Sequence, residues 1–320
     1  MSEEFLVVPT THWDRDWYWP FERFRVKLIE MFERVLELMA VDPDYTFVVD
    51  GQTIAVEDYL AVLPERAQGL RELGAAGRLR MGPLYVLSDV WLTGAEAFLR
   101  NLLIGRRMAE RFHAVQDVVY QPDTFGFHPE LPSLIAGSGL DTFMAMRGAP
   151  VERIGDQRFF FWAGPDGARV QVYRLRDGYA NAARLGMTAG TGEIMDAATK
   201  ASGIHPVFDM DLALEKLRAS CTRLQDGHGA PCLLLAGVDH QIPQRELPAI
   251  LDALRAQGLS FRYGDLDMVA TGMRAHASRA GWAVYSGELH DDSAHKLGGT
   301  ISSRMYLKQF NAAAERILVR

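Results

Sequence analysis

The sequence predicts an α/β fold built on a mostly parallel sheet or barrel. Two observations carry that expectation. Short apolar runs alternate with amphipathic helical stripes along most of the chain. The chain has 320 residues, 48% hydrophobic and 23% charged, enough to fill one large core or two smaller ones.

The elements follow in order. Phe5–Val8 is too short for a helix and reads as a buried strand. Pro20 suits the first position of a helix, and Phe21, Phe24, Leu28, Phe32, Val35 and Met39 then recur at helical spacing. Tyr45–Val49 reads as a second strand, Ile54–Leu63 and Ala67–Leu73 as helices, and Arg78–Met81 as a third strand. Thr93 and Glu96 form a capping box for a helix to about Phe112. Val118–Tyr120 and Thr142–Met146 are further strands, with a short helix at Pro129–Ser138 between them. Phe159–Trp162 and Val170–Tyr173 flank Gly164-Pro165-Asp166-Gly167, a hairpin signal. Asp177–Glu193 is rich in Gly and Ala and reads as a mobile surface loop. A helix over Asp209–Leu224, a strand at Cys232–Leu235, a helix at Glu246–Ala256 and late strands at Leu259–Tyr263 and Trp282–Tyr285 follow. Ser302–Val319 carries Tyr306, Phe310, Ala313, Ala314 and Ile317 at helical spacing and reaches Arg320 without a Gly or Pro stop.

Composition excludes several classes. Asp and Glu number 41 against 34 Lys and Arg, a formal charge of −7, which argues against a nucleic-acid binder with a broad basic face. No apolar run approaches the ~20 residues of a membrane helix. The N-terminus, MSEEFLVVPTTHWD, lacks a basic segment followed by an apolar one, and Cys221 and Cys232 are the only cysteines; a cytoplasmic location is expected.

Chemistry-bearing residues fall after the strands, where parallel α/β folds place functional groups. After the first come Thr11-His12-Trp13-Asp14; in an extended segment His12 and Asp14 share a side and form half of a divalent-metal site. A polar turn would use the same two residues without a metal. Asp123 in Tyr120-Gln121-Pro122-Asp123-Thr124-Phe125-Gly126 follows the fourth strand, where turn chemistry alone also favours Pro-Asp. Asp239 in Gly237-Val238-Asp239-His240 follows Cys232–Leu235, where an Asp can equally cap the next helix. Arg147 follows the fifth strand; a surface ion pair is its simpler reading. Together these acids suit a glycosidase, which needs two carboxylates at one bond. Trp13, Trp17, Tyr18, Trp19 and Phe125 lie close by and could meet apolar sugar faces.

At these residues the sequence resembles a known family. THWDRDWYWPFE, Gly51-Gln52, MGPLYVLSD, EAFLRNLLIG, QPDTFGFHPELP, FFFWAGPDG, LLLAGVDHQIPQ, GELH and SSRMYLKQFNAAAE occur in the order found in the N-terminal catalytic domain of glycoside hydrolase family 38 α-mannosidases. The likeness is strongest to the bacterial cytoplasmic branch that includes mannosylglycerate hydrolase, and it covers essentially the whole chain. It implies a seven-stranded, mostly parallel β/α barrel-like domain of the glycoside hydrolase and deacetylase type. It implies zinc-dependent, retaining hydrolysis of α-mannosides or mannosylglycerate-type carbohydrates. By the resemblance His12 and Asp14 are zinc ligands, Asp123 is the nucleophile and a further zinc ligand, and Asp239 is the acid/base. Trp17, Phe125 and Arg147 are expected to contact the sugar, and His240 to line the cleft beside Asp239.

The sequence departs from the family twice. Many members carry a His two places before the zinc His, where this chain has Thr10. The family's fourth zinc ligand is a His beyond the SSRMYLKQ helix, so residues 1–320 are expected to be a catalytic domain cut before a helical bundle and β-sandwiches. Such a piece is expected to bind zinc weakly, with three protein ligands, and to have little or no activity; members of the resembled family often assemble, which makes a homo-oligomer one expectation and leaves the oligomeric state open. His290 and His295 are poor substitutes for the missing ligand, because His290 precedes that helix; His113, His128, His205, His228 and His276 read as surface or core residues. A metal-dependent sugar deacetylase is the alternative enzyme, disfavoured because no two of the nine histidines are four apart. An inactive carbohydrate-binding domain is the non-enzymatic alternative.

Overall fold

The computed structural model describes residues 5–187, 207–225, 232–290 and 303–319. In chain order its elements begin with β1 (Phe5–Pro9), α1 (Phe21–Val41), β2 (Phe47–Val49), α2 (Ile54–Leu60), α3 (Ala67–Ala75), β3 (Leu79–Met81) and α4 (Ala95–Arg111). Then come β4 (Val118–Gln121), α5 (Leu131–Gly137), β5 (Thr142–Ala145), α6 (Val151–Ile154), β6 (Phe159–Ala163) and β7 (Arg169–Arg174). The last are α7 (Met210–Leu224), β8 (Cys232–Ala236), α8 (Leu247–Arg255), β9 (Phe261–Tyr263), α9 (Leu266–Ala280), β10 (Val284–Ser286) and α10 (Met305–Leu318).

The chain divides into two compact units. The first comprises Met1–Asp50, Ala55–Arg80 and Tyr179–His276. Its three-stranded sheet has the order β8-β1-β9, with β1 central and parallel to both neighbours. A parallel strand covered on both faces needs an uninterrupted apolar sequence, and every residue of β1 is buried. Helix α1 turns Phe24, Leu28, Met31, Phe32, Val35, Leu38 and Met39 inward. Pro20 takes the N-cap place rather than the first helical one, since its ψ of 156° is extended. β2 and β3 make a two-stranded sheet.

The second unit comprises Gly51–Ile54, Met81–Gly178 and Ala277–Arg320. Its sheet has the order β10-β6-β7-β5-β4. The β6–β7 hairpin is antiparallel, whereas β4–β5, β5–β7 and β10–β6 are parallel. The turn works as its sequence predicts: Gly167 takes a φ of +82°, and Asp166 Oδ1 accepts from the Ala168 amide at 3.0 Å. Phe98, Phe127, Phe143, Phe160 and Trp162 centre the core.

Several expectations need correction. The described strands form sheets of three, five and two, and a single seven-stranded barrel is not among them. Isolated bridges, Thr10 to Val48 and Met81 to Val115, stand where continuous ladders would be needed. Thr93 does not cap α4; Gly94 is the N-cap, one residue later, and its amide donates to Glu315 Oε1 at 3.3 Å. Helix α9 was not expected from the sequence, although Leu266, Val269, Ala270 and Met273 keep helical spacing and Asp265 accepts from the Met268 amide at 2.9 Å. The apolar stripe of α10 is solvent-facing: Tyr306, Phe310 and Ile317 are exposed. No helix among the described residues is long and apolar enough to cross a membrane.

The expected surface loop is anchored over its described part. Ala182 and Leu185 are buried, and Asn181 ties the segment to β8. Its amide nitrogen donates to Leu233 O at 3.0 Å and its carbonyl accepts from Leu235 N at 2.7 Å. One side chain thus satisfies two backbone groups on a sheet edge. Residues 188–193 of the expected loop lie outside the described residues. Replacing Asn181 by Ala leaves both groups without that partner and is expected to cost about 2 kcal/mol. Urea denaturation checks it, and an unchanged midpoint would show that β8 does not depend on this side chain.

Candidate active site

The ladder between β1 and β8 sets the first half of the site. Phe5 faces Cys232, Val8 faces Leu235 and Pro9 faces Ala236. The same register continues beyond both strands as a parallel bridge between His12 and Asp239. The His240 amide donates to His12 O at 2.9 Å and extends it. The segments approach so closely that Gly237 has no room for a side chain: a Cβ there would lie 1.7 Å from Thr10 O.

His12 is the hub of this unit. Its ring is buried, with Nδ1 3.1 Å from Asp50 Oδ2. Nε2 is 3.8 Å from Asp14 Oδ1. Burial alone would disfavour a charged ring, but Asp50, Asp14 and Asp239 outweigh it and raise the His12 pKa to about 10. Asp14 is held above the ordinary carboxylate range, chiefly by burial and against the pull of His12 and His240. Asp239 Oδ1 accepts a hydrogen bond from Tyr179 OH at 2.8 Å. The Tyr179 ring also lies 5.3 Å from that of His12.

His240 and the aromatics support this half. The His240 ring is buried, stacks on Phe24 at 4.2 Å and meets Trp13 edge-on at 5.0 Å. Its Nε2 lies 3.1 Å from both the amide nitrogen and the carbonyl oxygen of Asp14, so it fixes the backbone that carries that carboxylate. Trp17 is 60% exposed, leaving ring surface open. Thr10 donates its hydroxyl to Val48 O at 2.9 Å.

The second unit holds Asp123, Phe125 and Arg147. Register again does the placing. Gln121 faces Ala145 at the end of the β4–β5 ladder, and two residues further Asp123 meets Arg147. Arg147 Nε donates to Asp123 Oδ1 at 3.0 Å, and one terminal nitrogen, Nη2, donates to the same oxygen. Arg147 also lies over the Phe125 ring, 5.2 Å from its centre. Gly51 admits the end of β4, since a Cβ there would stand 2.0 Å from Tyr120 O. The His290 ring is 5.6 Å from that of Trp91 and against Gly126. Asp291, Asp292 and His295 lie outside the described residues.

The structure thus brings His12, Asp14, Asp239 and His240 together in one unit, and Asp123, Phe125 and Arg147 together in the other. Sequence reading missed Asp50 and Tyr179. Asp50 directly precedes the Gly51-Gln52 motif, but nothing local ties it to His12. Among the described residues no group of three or more His, Cys, Asp or Glu side chains is arranged to hold a metal. The donor chemistry nonetheless fits a divalent cation. Zinc bonds to nitrogen and oxygen are each ~2.0–2.2 Å, so one ion can span the 3.8 Å from His12 Nε2 to Asp14 Oδ1. The surplus of carboxylates that favours a proton on His12 also favours a cation.

A parallel α/β domain with carboxylates, an imidazole and an arginine at strand ends has the makings of a hydrolase domain. Residues 3–279 match the glycosyl hydrolases family 38 N-terminal domain. A Halalkalibacterium halodurans protein named "Putative mannosylglycerate hydrolase" is 31% identical over 335 residues, covering 99% of this chain and 35% of that protein. Human Alpha-mannosidase 2C1 is 28% identical over 165 residues, 51% of this chain and 16% of its own length. The crystal structure of an alpha-mannosidase from Enterococcus faecalis V583 superposes with a TM-score of 0.83 at 27% identity, over 98% of this chain and 34% of that one. The chain belongs to glycosyl hydrolase family 38, and it spans about a third of the length of the Halalkalibacterium relative.

Gly237→Ala is expected to lose about 3 kcal/mol, since the clash is with backbone that cannot swing aside. Gly69→Ala, in α3 with open space around it, is the control and should be neutral or stabilising by up to about 1 kcal/mol. Thermal or urea unfolding of both variants checks this; equal behaviour would refute the close approach.

Proposed function

We propose that the chain carries the catalytic residues of a retaining, zinc-dependent α-mannosidase acting on α-mannosides or mannosylglycerate-type carbohydrates. The observation that carries this reading is the continued β1–β8 register, which sets Asp239 beside His12 in a chain of this family.

Each residue then has a task. Asp123 is the nucleophile and attacks the anomeric carbon while the glycosidic bond breaks. Among the described residues both bonds to this carboxylate fall on Oδ1 and none on Oδ2. Arg147 therefore holds one oxygen and leaves the other to react. Asp239 gives its proton to the departing glycosidic oxygen. It then takes one from the water that attacks the anomeric carbon and releases Asp123. The Tyr179 hydroxyl, donating to Asp239 Oδ1, fixes the orientation of that carboxyl. His12 and Asp14 would hold the zinc, and Asp123 would be a further ligand. When bound, that ion would act as a Lewis acid and orient sugar hydroxyls. Trp17 and Phe125 offer ring faces to the sugar. A cytoplasmic setting belongs to the same reading, and the two cysteines of the chain, Cys221 and Cys232, are both buried.

Hydrolysis of an aryl α-mannoside and metal content by elemental analysis test this reading. Both are measured on this chain and on the chain extended to the length of its relatives. Asp123→Ala is expected to abolish measurable turnover. Asp239→Ala should cost ~10²–10⁴-fold on substrates with poor leaving groups and less on activated aryl mannosides. The sugar first released should keep the α configuration, read by proton NMR. A β product, or an Asp123→Ala variant that turns over normally, would overturn the assignment.

A further inference from the structure

We infer that Asp50 is the positioning residue of the metal centre: its carboxylate fixes the tautomer and direction of His12, so that Nε2 is the nitrogen presented to the cation. This deepens the proposed function and rests on its reading of His12 as a zinc ligand.

Four observations place Asp50 in this role. It is completely buried, in a fold whose other acids mostly reach solvent. One oxygen, Oδ2, is shared by His12 Nδ1 and the Trp13 amide, each at 3.1 Å. The Trp13 amide lies between His12 and Asp14, so one carboxylate oxygen grips both the ring and the backbone of the His-x-Asp segment. Asp50 also has a φ of 44°, in the left-handed region that non-glycine residues seldom take. That conformation is anchored through Val48: the Asp50 amide donates to Val48 O at 3.0 Å, and Val48 is bridged to Thr10.

The chemical consequence is direct. A neutral imidazole has one protonated and one unprotonated nitrogen. A carboxylate on Nδ1 keeps the proton there and leaves the Nε2 lone pair for a cation. It also makes the ring a more basic ligand. Asp14 sits on the Nε2 side, 3.8 Å away, so the pair of donors is fixed by an acid distant in sequence that is not itself assigned as a ligand.

The test compares zinc dissociation constants, by competition with a chromophoric chelator, for the wild-type chain, Asp50→Asn, His12→Ala and the double variant. Asp50→Asn is nearly isosteric; an amide oxygen in the place of Oδ2 can still accept from both donors, and only the charge is lost. Loss of such a partner typically weakens metal binding ~10–100-fold. A loss at the lower end is expected for Asp50→Asn, and it should shrink to near nothing in the His12→Ala background. An equal loss in both backgrounds, or none in the wild-type background, overturns the assignment. A wild-type chain that takes up no zinc overturns instead the reading beneath it, and this inference falls with it. Nitrogen-15 NMR of the zinc-loaded wild type needs no variant to fold. A proton on His12 Nδ1 with the metal on Nε2 supports the inference; the reverse tautomer refutes it.

Discussion

The site depends on a register. In a parallel ladder each residue has one fixed neighbour across the sheet, and that pairing persists for as long as the chains run side by side. β1 and β8 continue their pairing past the last regular strand residues, from Pro9 and Ala236 to His12 and Asp239. A slip of one residue would turn every side chain to the opposite face. Gly237 guards against such a slip, because only a residue without Cβ can pass Thr10 O at that distance. Burial of the strands is thereby converted into the placement of polar groups.

The second unit uses the same device. β4 and β5 end on Gln121 and Ala145, and Asp123 and Arg147 follow them in step. In the second unit the acid at the end of one strand is thereby held by the arginine at the end of the next, whereas in the first Tyr179 holds Asp239. These groupings gather charge where charge is costly. His12 and Asp50 are buried together, and such pairs seldom add net stability compared with apolar packing. The aromatic packing of His240, against Phe24 and Trp13, holds the Asp14 backbone still.

Much of this was legible in the primary structure. Strand-length apolar runs, helical stripes and the Gly-Pro-Asp-Gly hairpin depend on neighbours a few residues apart, and they formed as expected. The acids after the strands could be picked out because parallel folds end their strands at one rim. Local reading failed where a partner distant in sequence took part. Thr93 looked like a cap, yet Gly94 took the place with a backbone bond that involves Glu315, far along the chain. The Gly- and Ala-rich segment after Asp177 reads as a surface loop, yet Asn181 ties its described part, residues 177–187, to β8 across a separation no window can see.

The sequence by itself determined which segments are strands and helices, which acids stand at strand ends, and to which family the chain is similar. These are properties of spacing and of motif order. Only the tertiary structure decided which carboxylate meets which base. Asp50 reaches His12, Tyr179 reaches Asp239 and Arg147 reaches Asp123 through ladders and bridges between distant segments. The physical reason is that hydrogen-bond partners are set by strand register and by buried contacts in three dimensions, and a linear chain does not carry that information residue by residue.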